Sequence, residues 1–160
     1  GGAVRQGLDQ ARMKWFMYVD GKGATSGECL DRIFSCRGRA DLVVPYPENT
    51  QERPWGRRVV SMLFQRTLNL LFGLNLKYYN HLVLYPAELV RRVRLRTNSY
   101  AFQAEWLVKL IKSGATYVEV GVQDRFAMEG RRSKALRPGN VMGVIRAIVR
   151  LVWDVHVMKR

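Results

Sequence analysis

The 160-residue chain is long enough to bury a hydrophobic core, and its 48% hydrophobic and 25% charged residues are typical of a globular rather than a disordered protein. Its 27 Lys and Arg residues outnumber 13 acidic residues, and the net charge of +14 favours polyanionic partners: nucleic acid, anionic lipid or phosphorylated substrates. No apolar stretch approaches the roughly 20 residues of a membrane-spanning helix, and residues 1–14 do not resemble a secretory signal, so we expect a cytoplasmic protein.

Apolar residues recur with helical and strand spacings in alternation along the first part of the chain. Val4 and Leu8 share one helix face, whereas WFMYV is a short apolar run that ends at Asp20. Ser26 is a suitable N-cap for the next helix. In chain order the predicted elements are a helix over 2–12, a strand over 15–19, a helix over 26–34, a strand over 40–45 and a loop over 46–55.

The rest of the chain continues this alternation. Pro86 suits the first turn of a helix. Strands separated by helices predict an α/β fold with a mostly parallel sheet. Four apolar residues fall near one face of the helix over 56–72, namely Val59, Leu63, Leu68 and Leu71. The other predicted elements are a strand over 81–85, a helix after it, a helix over 100–112, a strand over 116–122, a basic loop, and a helix from about 140 onward.

The cysteines and histidines show no catalytic or metal-binding spacing. Cys29 and Cys36 are too far apart for a C-x-x-C pair, so we expect two structural thiols. His81 and His156 form no ligand pattern, and each is expected to be structural. The last helix carries apolar residues around much of its circumference together with Arg146 and Arg150, which is typical either of a core helix or of an interfacial helix on anionic lipid.

Four stretches, in this order, resemble family-two inverting glycosyltransferases of the dolichol-phosphate mannose synthase type. GGAVRQGLDQARMKWFMYVDGKG is similar to the family's G-x-A-x-x-x-G-x-x-x-A helix and the strand that ends at an aspartate. A basic helix follows at 56–79. SYAFQAEWLVKLIKSGATYVEVGV resembles the F-x-x-E helix and E-V-P-I strand, and QDRFAMEGRRSKAL resembles the R-x-x-x-x-G-x-S-K acceptor loop. The four stretches cover nearly the whole chain.

The resemblance implies a GT-A-like, Rossmann-like sheet and a donor site at Asp20. In the family an Asp-x-Asp motif at this point holds a divalent metal, Mg or Mn, against the donor diphosphate. Lys22 replaces the second aspartate. That replacement argues against a metal, and Lys22 itself would neutralise the diphosphate. Arg57 and Arg58 are further candidates for diphosphate binding; the alternative for Asp20 is a turn cap.

On the acceptor side, the candidates are Glu105 and a basic loop. Glu105 is expected either to act catalytically by orienting the acceptor or a loop, or to form a salt bridge with Lys109 at the i to i+4 spacing. Guanidinium groups suit phosphate oxygens, so the basic loop is expected to bind an acceptor phosphate. The alternative is that its charges are only solvated. The loop residues expected to bind an acceptor phosphate are Arg125, Arg131, Arg132, Ser133 and Lys134.

The expected organisation is one domain that lacks the nucleotide-binding start of the family. Residues 1–55 would end the donor half, 56–136 would form the acceptor half, and 137–160 an amphipathic helix. Either the sequence is a partial product, or a homo-oligomer or another partner would supply the missing segment.

The expected activity is transfer of a hexosyl group from a nucleotide-diphosphate sugar to a polyprenyl phosphate or glycan acceptor at the inner face of a membrane. A non-catalytic membrane or scaffold protein of the family is the first alternative. A basic nucleic-acid-binding module is the second, although no recognition-helix or RNP-like motif supports it.

Overall fold

A computed structural model of the protein describes residues 2–19, 25–125 and 138–157. The predicted α/β class is confirmed, with a mixed four-stranded sheet flanked by helices. The helices are α1 (Gly2–Gln10), α2 (Gly27–Ser35), α3 (Trp55–Phe72), α4 (Ala87–Arg92), α5 (Phe102–Lys112) and α6 (Pro138–His156), with a 3-10 turn at Thr50–Glu52. The strands are β1 (Trp15–Met17), β2 (Leu42–Pro47), β3 (Leu84–Pro86) and β4 (Tyr117–Val122).

The strand order of the sheet is β1-β3-β2-β4. β2 and β4 pair in parallel from Leu42 opposite Tyr117 to Pro47 opposite Val122. β2 and β3 pair antiparallel, with Val43 opposite Leu84. The expectation of a mostly parallel sheet is therefore met for the longest pairing, but β3 runs the other way.

β2 continues beyond Pro45, where the sequence predicted its end. Backbone N–H groups alternate sides along a strand, and the Glu48 N–H donates to Val122 O at 2.9 Å, on the β4 side. Pro45 and Pro47 therefore turn their missing N–H away from β4. The strand can run to Pro47 without losing a hydrogen bond to its parallel partner.

The chain divides into two compact units. The first contains the described residues of Gly1–Phe16, Tyr85–Thr116 and Arg131–Arg160, and the second those of Met17–Leu84 and Tyr117–Gly130.

The core of the second unit is centred on β2. Leu42, Val43 and Val44 have no exposed surface, as expected of a strand covered on both faces. α2 packs against β4, and the predicted N-cap is confirmed, since Ser26 Oγ accepts from Cys29 N at 3.2 Å. α3 ends at Gly73, whose positive φ of 59° suits glycine in a left-handed C-cap.

The core of the first unit surrounds Trp106 on α5. The rings of Phe16, Tyr85 and Phe102 contact its indole edge-to-face at centroid distances of 5.8–6.2 Å. α5 packs against α4 and α6. The burial of Trp106 and its neighbours on α5 makes that helix the centre of this unit.

One predicted boundary was wrong, and one predicted apolar face is buried only in part. The strand predicted over 81–85 begins only at Leu84, because His81 Nδ1 accepts from Leu82 N and His81 O accepts from Val83 N, which makes a tight turn. On α3 the expected apolar face included Leu63, but Leu63 is 56% exposed and the buried residues are Leu68 and Phe72.

Of the helices that the structure describes, none combines the length and hydropathy required to cross a bilayer.

Candidate functional site

The carboxyl ends of the parallel strands β2 and β4 are joined by a reciprocal pair of hydrogen bonds. Asn49 Nδ2 donates to the Asp124 carbonyl oxygen at 2.8 Å, and Asp124 N donates to Asn49 Oδ1 at 3.1 Å. Asn49 is 5% exposed. This clasp fixes the two strand ends where open α/β sheets bind their ligands.

His81 is held by the same clasp. Its Nδ1 accepts from Leu82 N at 2.8 Å, so Nε2 is the protonated nitrogen of the neutral ring and donates to the Asp124 carboxylate at 3.1–3.2 Å. Both ring nitrogens are engaged and the side chain is buried. The arrangement agrees with the structural role expected for His81 rather than with acid–base chemistry.

A cavity of about 480 Å³ opens beside the carboxyl end of β2. Tyr46 and Pro47, at the end of that strand, form part of its wall, and the first turns of α3 form another part. The lining includes three cations and three aromatic rings, namely Arg53, Arg58 and Lys77 with Tyr46, Trp55 and Tyr78. We call this site the aromatic–cationic cavity.

The cations of the aromatic–cationic cavity are positioned by aromatic rings. Arg53 Nη1 donates to Tyr78 Oη at 2.6 Å, and its guanidinium lies 5.8 Å from the ring centroid. Lys77 Nζ lies 4.1 Å from the centroid of Tyr46. A hydrogen bond with Tyr46 raises the pKa of Lys77 above its ordinary value, and Glu119 and Glu48 add smaller effects in the same direction. The ammonium group is therefore charged at neutral pH.

Carboxylates do not neutralise all of this charge. Within 2–19, 25–125 and 138–157, neither Arg58 nor Lys77 forms a salt bridge. Trp55 is 77% exposed, so one large ring stands open to a ligand. The cavity therefore offers stacking surfaces beside fixed positive charge, which suits a phosphorylated ligand that carries a flat or ring-shaped group.

The residues predicted to bind donor and acceptor phosphates are only partly described. Arg58 lines the aromatic–cationic cavity, Arg57 is half-buried on the same helix, and Arg125 is exposed directly after Asp124. The remaining predicted residues lie outside the described part of the chain: Asp20, Lys22, Arg131, Arg132, Ser133 and Lys134.

Glu105 belongs to a buried charge network in the first unit. Its oxygens accept from Arg96 N at 2.8 Å and Thr97 N at 2.9 Å, and Lys109 Nζ donates to it at 2.8 Å. Lys109 also pairs with Asp154 at 3.0 Å. The salt bridge to Lys109, one of the two roles expected of Glu105, is therefore present, and the carboxylate orients the segment before α5.

No group of three or more His, Cys, Asp or Glu side chains suited to a metal ion occurs among the residues that the structure describes. Asp20 and Lys22, the positions at which the family resemblance implies a metal, are not among them.

Several residues of the aromatic–cationic cavity were missed by sequence reasoning. Tyr46 and Arg53 lie in a stretch interpreted only as a polar loop, and Lys77 and Tyr78 lie at the end of the stretch assigned to a basic helix over 56–79, beyond the end of α3 at Phe72. A usable signal was present for Arg53, which follows a buried strand closely, where α/β proteins place ligand-binding groups.

Comparison of the chain with known protein families and with curated proteins finds no match to either.

Proposed function

We propose that this protein is a glycosyltransferase that moves a hexosyl group from a nucleotide-diphosphate sugar to an anionic acceptor such as a polyprenyl phosphate. The observation that carries the proposal is the aromatic–cationic cavity at the carboxyl end of β2. Its volume of about 480 Å³ is within the usual range of small-molecule sites. Its aromatic rings offer stacking surfaces for the base or the sugar of a sugar nucleotide, and its cations offer positive charge to the diphosphate.

In the proposed reaction an acceptor oxygen attacks the anomeric carbon of the donor, and the bond from that carbon to the diphosphate breaks. Negative charge grows on the leaving diphosphate, and the positive charges of Arg58 and Lys77 in the cavity would stabilise it. A phosphate acceptor is already anionic, so the attack requires no general base. Arg125 and the basic residues that follow it are the proposed acceptor contacts.

The experiment is a calorimetric titration of the protein with nucleoside diphosphates, with and without Mn²⁺. Arg58→Ala removes a cavity cation and is expected to weaken binding roughly tenfold. Arg66→Ala is the matched control, because Arg66 is exposed on the same helix but does not line the cavity. Absence of binding under every metal condition, or equal losses in both variants, would refute the assignment of the cavity.

The membrane surface is the proposed place of action because of α6. Its outward face carries large apolar residues at helical spacing, with Arg146 and Arg150 along one flank. A helix of this kind would lie on anionic lipid and bring a lipid-linked acceptor to the enzyme. The exposed residues of the stripe are Met142, Ile145, Val149 and Trp153, which are 48–64% exposed.

A further inference from the structure

A second cavity, of about 380 Å³, lies within the first unit. Arg5 and Asp9 of α1 contribute to its wall, as do Arg91 of α4 and the residues after that helix. Trp106 of α5 forms another part of the lining. We call this site the guanidinium pocket, because three arginines line it: Arg5, Arg91 and Arg94.

The guanidinium pocket carries a surplus of positive charge. Asp9 is the one acidic residue of its lining. Arg5 Nη2 donates to the amide oxygen of Asn98, and Arg91 Nη2 donates to the carbonyl oxygens of Leu8 and Ala11 at the end of α1. In the portion of the chain covered by the structure, no salt bridge involves these three arginines. Neutral oxygens hold the guanidinium groups of Arg5 and Arg91, so the positive charge of the pocket is left for another partner.

Two hydrogen-bond donors of the lining residues are also unused. Arg5 Nε and Trp106 Nε1 are buried and have no hydrogen-bond partner among the described residues. Trp106 as a whole is 1% exposed. Buried donors without an acceptor are uncommon in folded proteins, since their desolvation is uncompensated. Both residues line the guanidinium pocket, so these deficits lie beside its positive charge.

We propose that the guanidinium pocket binds a phosphate monoester. A phosphate offers several acceptor oxygens and two negative charges to the arginine forks. The volume of the pocket exceeds that of one phosphate group, and the side chains of Val90, Leu95 and Trp106 supply apolar contacts for the attached organic group. The guanidinium pocket shares no lining residue with the aromatic–cationic cavity, and its occupancy does not depend on the proposed transferase activity.

The test follows the indole Nε1–H resonance of Trp106 by NMR while inorganic phosphate is added at constant ionic strength. A saturable shift is expected with phosphate and not with chloride. Arg94→Gln should raise the dissociation constant at least about fivefold, because one charge-assisted contact is lost. Arg66→Gln, on an exposed position outside the pocket, should leave the constant unchanged.

Asp9→Asn is expected to change the affinity for phosphate in the opposite direction. Loss of the single carboxylate of the lining should tighten phosphate binding, so the proposal stays testable if Arg94→Gln does not fold. The dissociation constants of glycerol phosphate and dioctanoyl phosphatidic acid are then compared. Tighter binding of the first indicates a soluble ester, and tighter binding of the second indicates a lipid headgroup. A shift that does not saturate, an unchanged constant in Arg94→Gln or Asp9→Asn, or an equal effect of Arg66→Gln would overturn the proposal.

Discussion

Cys29 lies on the buried side of α2, and this position governs its chemistry. Burial, and to a smaller extent the negative charge of Asp124, raises the pKa of its thiol to about 11, whereas nearby Arg32 acts in the opposite direction. A thiol that stays protonated is a poor nucleophile and a poor metal ligand. The expectation of a structural cysteine agrees with its burial and with its free thiol.

The same residue gives a pH prediction with a definite sign. The unfolded thiol ionises near its ordinary pKa of 9.0, and the folded thiol ionises near 11. Between these values the folded state holds more protons, so rising pH favours unfolding. Relative to Cys29→Ala, the wild type should lose at most about 1.4 kcal/mol of unfolding free energy per pH unit in this window. Urea unfolding at pH 8, 9, 10 and 11 measures the difference, and parallel pH profiles would contradict the prediction.

Among elements, α5 and α6 share the most heavily buried charges of the first unit. Lys109 of α5 bridges Glu105 and Asp154, and Asp154 of α6 also accepts from Arg96 Nη1 at 2.9 Å. Lys109 Nζ further donates to the Arg94 carbonyl oxygen at 3.1 Å. Each charged group in the network is therefore matched by a partner, which is the condition for a tolerated buried ion pair.

Glu105→Ala is expected to lower the free energy of unfolding by about 3–5 kcal/mol, because it leaves Lys109 short of a partner and two backbone N–H groups without an acceptor. Glu88→Ala is the matched control, since Glu88 forms the same i to i+4 pair with Arg92 on the exposed surface. The control should lose at most about 0.5 kcal/mol. Urea unfolding compares the two variants. Similar losses of unfolding free energy would show that the buried network stabilises this unit no more than an exposed ion pair does.

The elements that the sequence predicted best are those specified by local cues. Ser26 marks the start of α2, and Gly114 follows the end of α5 with a positive φ of 97°. β3 was misplaced because the ring of His81 competes for the backbone N–H of Leu82. Periodicity grouped Leu63 with Leu68 on one face of α3 but could not say how far along that face the burial extends, and Leu63 is exposed.

The candidate site depended on distant partners and was harder to predict. Arg58 was singled out from its basic helix, and Arg125 from its place after a strand. The contact of Lys77 with Tyr46 joins residues from separate segments and leaves no local pattern. The i to i+4 spacing predicted the pair of Glu105 with Lys109, but nothing in the spacing indicated that Asp154 completes it.

At the scale of the whole molecule, the net charge of +14 and the apolar stripe of α6 should act together. We expect the protein to sediment with phosphatidylglycerol vesicles and much less with phosphatidylcholine vesicles, because positive charge attracts anionic lipid. Trp153→Asn should reduce that binding, since the side chain is 59% exposed on the stripe. Higher salt should weaken but not abolish it, because the apolar contribution is not screened.

Leu70→Asn is the control for the vesicle experiment. Leu70 is 86% exposed on α3, outside the stripe, so its replacement should leave sedimentation unchanged. Equal effects of both variants would show that exposed apolar residues act without regard to position. Tight, salt-sensitive binding to duplex DNA without binding to vesicles would instead favour the nucleic-acid alternative.

The clasp between Asn49 and Asp124 has a consequence for folding kinetics. It joins residues 75 positions apart, at the ends of two strands that pair in parallel. Closing a chain loop of that length costs about 4 kcal/mol of entropy before the pairing returns any stability. The intervening helices can form from local contacts, so assembly of the second unit waits for a long-range encounter. A clasp completed after that encounter would prolong the lifetime of the folded state without hastening its formation.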